Sequence, residues 1–327
     1  MPDRIPPSAE TEPRPFHPAW WCRNRHLQTL WPLLSKAPLP PLQRERLELP
    51  DGDFLDIDWT SGGSGPLILV LHGLEGSVES HYARRILRAI VAAGWRGVLM
   101  HFRGCSGEAN RLPRRYHSGE TGDLNYVVRL LREREPDTTL ATIGYSLGGN
   151  VLLKWLGENG GAAPISAAVA VSVPFQLDVL ADHMNHGFAR VYQSHLVHSL
   201  VKNTLSKRDL LAGLIDMQQV PRLRTFWQFD DAVTAPLHGF ANAHSYYEAS
   251  SSRQFLRTID KPTLILHSRD DPFMVPGVIP GQAELGPEVR LELTEHGGHV
   301  GFIDGGTPWR PHYWLETRII HFLRQWL

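Results

Sequence analysis

Several features that would assign a chain quickly are scarce in this sequence of 327 residues. There are two cysteines, Cys22 and Cys105, far apart and in no metal-type spacing. A disulfide framework is therefore not expected, and a reducing compartment is favoured. Charge of one sign is missing as well, because 33 Lys plus Arg face 34 Asp plus Glu. That balance gives neither a nucleic-acid footprint nor a polyanionic tail. No apolar run reaches the ~18 residues of a membrane-spanning helix. The first eighteen residues carry Pro2, Pro6, Pro7, Pro13, Pro15 and Pro18 without an apolar stretch, so they do not read as a secretion signal. No internal repeat is present. The expectation is a soluble, cytoplasmic protein without a nucleic-acid partner, of undetermined oligomeric state.

The 42% hydrophobic content and the length allow one domain with an insertion, or two domains. Residues 1–18 read as a mobile or surface-draped segment. Next comes Ala19 to Trp31, with Trp20, Trp21 and Trp31 among Arg23, Arg25 and His26. This stretch predicts a short docked helix, or an element at a membrane surface or substrate entrance. Arg46–Leu49 and Phe54–Trp59 flank a Pro-Asp-Gly-Asp turn and predict a hairpin. From there strands and helices alternate: strands at 67–71, 96–102, 139–145 and 165–173, with helices at 81–93, 119–135 and 147–158. The alternation stops near Pro174. Residues 175–255 are polar, His-rich and helical in period, and strands return at 262–267 and 289–294. A final helix places Leu315, Ile319, Phe322, Leu323 and Trp326 on one apolar face. Such alternation predicts a mainly parallel sheet with helices on both faces. Residues 19–174 and 256–327 would form one core, with 175–255 as a helical lid inserted at the carboxyl edge of the sheet.

The chemistry-bearing segment is Gly144-Tyr145-Ser146-Leu147-Gly148. It matches G-x-S-x-G between a strand and a helix, the context of a nucleophile elbow. Gly144 and Gly148 are expected where side chains would collide, and the turn would push the Ser146 hydroxyl above the sheet edge. A serine hydroxyl needs a base, and the base needs orientation. In sheets built around such an elbow, an acid and then a histidine follow, each after a late strand. Asp270-Asp271-Pro272 follows one late strand; His296-Gly297-Gly298-His299 follows the next. His299 is the better base, because adjacent glycines let its loop approach the elbow. Asp270 and Asp271 are not separated by spacing alone. Oxyanion donors are expected from the backbone amides of Leu147 and Leu74, the latter in the turn His72-Gly73-Leu74-Glu75-Gly76.

Taken together, the chain resembles the YheT/EMB8 branch of the α/β-hydrolases, the AB hydrolase-4 family, which includes lipases similar to ABHD1 and ABHD3. The matching text is Arg25-His26-Leu27-Gln28-Thr29, His72-Gly73-Leu74-Glu75-Gly76-Ser77, Phe102 to Gly107 and Tyr116-His117-Ser118-Gly119. It continues with Gly144 to Asn150, Asp270-Asp271-Pro272 and Gly297 to Phe302, and the likeness spans residues 15 to 327. The resemblance implies the α/β-hydrolase fold, a triad of Ser146, Asp271 and His299, and esterase or lipase activity on short acyl esters or acylglycerols. It favours Asp271 over Asp270, and it implies no cofactor and no metal.

Competing functions are thioester cleavage or acyl transfer on the same residues, and a non-catalytic binding module. The pairs His183/His186 and His195/His198 lack the companions of a zinc site. Cys105 reads as a small buried residue. The aromatic residues of 226–229 and 245–247 read as lid packing or as an acyl pocket. The expected partner is a small ester or lipid-like molecule, with peripheral membrane contact but no stable membrane insertion.

Overall fold

The computed structural model describes residues 14–35 and 37–327. Strands β1 (Leu42–Glu48), β2 (Phe54–Thr60), β3 (Leu67–Leu71), β4 (Arg96–Met100), β5 (Leu140–Tyr145), β6 (Ala167–Val171), β7 (Thr263–Ser268) and β8 (Val289–Thr294) form one sheet. Their spatial order is β1-β2-β4-β3-β5-β6-β7-β8. β1 pairs antiparallel with β2 and β2 antiparallel with β4, while every pairing from β4 to β8 is parallel.

Alternation along the strands divides the core into two layers. Leu67, Leu69 and Leu71 face the layer of α3 (Gly122–Arg134) and α4 (Leu147–Asn159), with Leu124, Val127 and Trp155. Ile68 and Val70 face the layer of α2 (His81–Ala92) and the C-terminal helix, with Ile86, Leu315 and Ile319. That last helix runs Trp314–Leu323, and Leu315, Ile319, Phe322 and Leu323 are buried along it, as its periodicity predicts, whereas Trp326 lies past the helix end and is half-buried.

Two elements differ from the sequence pattern. β1 begins four residues earlier than expected, because Arg44 and Arg46 are held by the cross-strand carboxylates Asp58 and Asp56, each at 2.8 Å. A charged edge strand shows no apolar alternation to read. A second hairpin, β9 (Ile303–Thr307) with β10 (Arg310–Tyr313), was not expected. Its Gly305, Gly306 and Pro311 are poor strand formers.

Between β6 and β7 the chain leaves the sheet. Residues 177–258 are built from short helices, among them α5 (Leu177–His183), α6 (Ala189–Leu205) and α7 (Ala243–Ser250). They enclose a third apolar cluster, including Met184, Val197, Phe229 and Tyr246, against which Leu74 and Phe273 of the sheet edge pack. Residues 1–13 of the proline-rich start lie outside the described residues. The remainder is held to the body: Phe16 packs edge-on to Phe302 and Trp314, and Trp314 Nε1 donates to the Arg14 carbonyl at 2.8 Å. Among the described residues no helix is long and apolar enough to cross a membrane.

Candidate active site

Ser146 joins β5 directly to α4 with φ of 52°. A non-glycine residue held there stores strain of about 1–3 kcal/mol, so the surroundings must enforce it. They do so by close packing. A Cβ on Gly144 would lie 2.5 Å from the Gly148 carbonyl oxygen, and one on Gly148 only 2.4 Å from the His72 carbonyl oxygen. Among the described residues four other non-glycine residues have positive φ: Glu75, Ser172, Val300 and Phe302. All follow β3, β6 or β8, so the strain is gathered along the carboxyl edge of the sheet around Ser146.

The late strands bring the other predicted side chains to this edge. His299 Nε2 lies 3.0 Å from Ser146 Oγ, and His299 Nδ1 lies 2.8 Å from Asp271 Oδ2. Asp271 is buried, and its other oxygen accepts from the Phe273 amide at 2.9 Å. The Phe273 ring stacks on the imidazole, 3° from parallel with centroids 4.0 Å apart. Asp270 faces away from this chain of bonds, accepting from the Gly298 amide at 2.9 Å and meeting the exposed His296 at 3.2 Å. The two carboxylates therefore divide the work: one contacts His299, while the other ties down its loop.

The residues of the predicted backbone donors, Leu74 and Leu147, line the same cavity as Ser146. Leu147 is the first residue of α4, where an amide has no intrahelical partner, and Leu74 lies in the turn after β3. Neither amide donates a hydrogen bond among the described residues. The turn is pinned on both sides. Gly73 N–H donates to Tyr82 Oη and Glu75 N–H to Tyr116 Oη, both at 2.7 Å. The Glu75 carboxylate accepts from Arg115 and Tyr116, and also from Asn203 of α6. Glu75 thus ties the turn carrying the Leu74 amide to the inserted helical segment.

The sequence predicts a docked helix, or a membrane-surface or substrate-entrance element, at Ala19 to Trp31, but not what α1 (Arg25–Leu34) holds: it braces the histidine loop. The His299 amide donates to Thr29 Oγ1 at 3.0 Å. The Gln28 side chain donates to the Cys22 and Ile303 carbonyls and accepts from the Ile303 amide at 2.7 Å. The loop lies so close that a Cβ on Gly301 would fall 2.1 Å from the Gln28 carbonyl oxygen. The signal was present in the Arg-His-Leu-Gln-Thr run. A buried Gln and Thr inside a leucine-rich helix need partners from elsewhere in the fold.

Above Ser146, between the sheet edge and the inserted helices, lies a cavity of about 550 Å³. Its walls are mainly apolar, with Leu74, Leu177, Leu200, Phe226 and Val233 among them. The aromatic residues of 226–229 and 245–247 divide: Phe226, Phe229, Tyr246 and Tyr247 line the cavity. Trp227 instead packs edge-on to Tyr247 and donates to Asp182. One region of the wall is polar. Burial pushes Asp230 up to about 6, although Thr234 and Tyr247 donate to it at 2.6 and 2.7 Å. Burial also lowers His117 and His238 to about 3, and burial with Arg85 beside it holds His81 well below its ordinary value.

Of the metal ligands considered, His183 meets the Pro272 carbonyl. Among the described residues one His/Asp/Glu group is close enough to share an ion, His117, Glu120 and His238. Two of its members are already engaged. His117 Nδ1 accepts from the Gly119 amide at 3.1 Å, and Glu120 accepts from Arg114 at 2.6 Å and the Gly122 amide at 3.1 Å. A neutral imidazole has one lone pair, so His117 Nε2 carries the proton and cannot ligate. Cys105 is not poised as a thiolate, since burial, with Glu75 nearby, pushes it up to about 12.

Residues 66–306 match the family model described as alpha/beta hydrolase fold. The chain is 46% identical to YheT of Escherichia coli (strain K12), which carries an esterase name, over 95% of this chain and 94% of that protein. It is 29% identical to phospholipase ABHD3 of Mus musculus over 94% of this chain and 76% of the relative. With the monoacylglycerol lipase of Saccharomyces cerevisiae it shares 33% over 81% of this chain and 60% of the relative. Among solved structures, the Pyrococcus furiosus esterase Pf2001 superposes with a TM-score of 0.60 and 18% identity, covering 97% of this chain and 98% of that one; it shares the fold.

Proposed function

We propose, from the premise that the chain belongs to the α/β-hydrolase fold family and within it to the group of YheT, that it is an esterase- or lipase-type serine hydrolase. It cleaves carboxylic esters of apolar acyl chains through an acyl-enzyme. The observation that carries the reading is the continuous bond chain from Ser146 Oγ through His299 to the buried Asp271. In this mechanism His299 Nε2 takes the hydroxyl proton as Ser146 Oγ attacks the ester carbonyl carbon. Asp271 holds the imidazole with Nδ1 protonated and stabilises the imidazolium. The Leu74 and Leu147 amides donate to the developing oxyanion. Collapse expels the alcohol, which takes the proton from His299. Water then repeats the sequence on the acyl-serine and releases the acid.

Residues 175–255 act as the lid of this site and supply most of its acyl wall. Their apolar lining favours chains longer than acetyl. Each buried methylene contributes ~0.8 kcal/mol, so kcat/KM should rise up to roughly fourfold per methylene until the cavity is filled. The test is fluorophosphonate labelling of the wild type and of Ser146→Ala, with p-nitrophenyl esters from C2 to C12. Labelling confined to the wild type, with turnover that increases beyond C2, is the expected result. A folded wild type that takes no label would overturn the mechanism. Label without ester turnover would redirect the reading to thioesters or acyl transfer, which the same three residues could perform.

A further inference from the structure

We propose that the outer face of α1, together with the start of α6, docks on a lipid surface bearing anionic headgroups, so that the pocket opens directly into the lipid phase. Helix α1 is amphipathic in the inverted sense. Its buried residues are Gln28, Thr29 and Pro32, whereas Leu27, Leu30, Leu33 and Leu34 are exposed, Leu34 by 77%. The inversion has a cause, since the inward face is committed to hydrogen bonds that hold the His299 loop. The outward leucines have no such reason to be apolar, and a helix in water would carry charge there. They are not scattered singly. Phe188 and Val191, exposed by 49% and 56%, stand beside them, with the Phe188 ring 4.5 Å from that of His26.

This patch is the rim of the candidate active site. Leu30, Leu33, Phe188 and Val191 are exposed to solvent and also line the cavity above Ser146. These four apolar side chains therefore reach from the outside of the molecule into the cavity that holds the serine. Charge identifies the occupant. Residues 14–35 and 186–208 contain no Asp or Glu, while Arg23, Arg25 and Arg190 are exposed there. Among the described residues none of these arginines forms an ion pair. A leucine face with Arg25 at the start of its helix and Arg190 next to Val191 matches the interface of an anionic lipid surface. A second copy of the chain on the same face would bring these cations together, which disfavours a symmetric dimer.

The route of substrate rests on the ester-hydrolase reading, but the docking does not, and an inactive protein tests it separately. Ser146→Ala protein should co-float with phosphatidylcholine vesicles holding roughly 30 mol % phosphatidylglycerol. Adding Leu27→Ser and Leu34→Ser, neither of which lines the cavity, should weaken that partition by at least about tenfold. In the active protein the double change should spare the rate on a monomeric short-chain ester and the melting temperature, and lower the rate on an ester emulsion. The proposal fails if the Ser146→Ala protein stays unbound, or if the leucine variant floats as well as its parent. It fails too if sedimentation shows a dimer that the variant dissolves. Flotation of a protein that hydrolyses no ester would keep the docking surface and discard the enzymatic reading.

Discussion

At the residue scale, two adjacent carboxylates with the same chemistry have been given different tasks by the direction of the chain leaving β7. Asp271 turns inward to His299 Nδ1 and is buried, while Asp270 accepts from the Gly298 amide at the surface of the loop. Asp271→Asn should therefore reduce kcat on the order of a thousandfold to ten-thousandfold, because an amide cannot hold the imidazole in the reacting tautomer. Asp270→Asn keeps an acceptor for the Gly298 amide and should stay within roughly threefold of the wild type. Steady-state kinetics of the two variants on one ester would decide it. Equal losses would remove the distinction between the two residues.

Among elements, α1 matters more than its length of 10 residues suggests. It lies outside the sheet and its helical layers, yet Gln28 and Thr29 hold the loop that carries His299. Gln28→Leu leaves the Ile303 amide and the Cys22 carbonyl buried without partners, while the Ile303 carbonyl keeps the Ala19 amide. Each orphaned group costs about 1–3 kcal/mol, so a stability loss of roughly 2–6 kcal/mol in urea unfolding is expected. A fall in kcat at nearly constant KM should accompany it, since the histidine loosens while the acyl wall is intact. A variant of wild-type stability and rate would show that α1 only covers the loop.

For the molecule as a whole, the two cores on the sheet faces and the third core of the inserted segment share one boundary, the strained carboxyl edge. The third core contains a carboxyl group that its surroundings do not fully compensate. Asp230 is raised by burial to about 6 from the 3.8 of an open chain. Below pH 3.8 it is protonated in both states and contributes nothing to pH dependence. Between 3.8 and 6 the unfolded chain ionises first, so stability falls as pH rises. Above 6 the full penalty, about 3 kcal/mol, is present. Asp230→Asn removes that charge, so its melting temperature relative to wild type should be more favourable at pH 8 than at pH 5. A difference independent of pH would mean that Asp230 is ionised throughout.

Much of this organisation could be read along the chain because it depends on neighbours in sequence. Strands β3 to β7 follow from short apolar runs and β8 from alternation, and the glycines around Ser146 mark a turn too tight for side chains. The order of Ser146, the Asp270–Asp271 pair and His299 was legible because each follows a strand. Other features required the third dimension. Arg44 and Arg46 pair with Asp58 and Asp56 across a hairpin, and a charged strand has no local pattern. The choice between Asp270 and Asp271 turns on a backbone direction that spacing does not contain. Gln28 and Thr29 acquire their partners from residues some 270 positions away. Periodicity can report which residues avoid water; only the folded chain determines which buried polar groups meet, because hydrogen-bond partners are set by distance in space and not along the sequence.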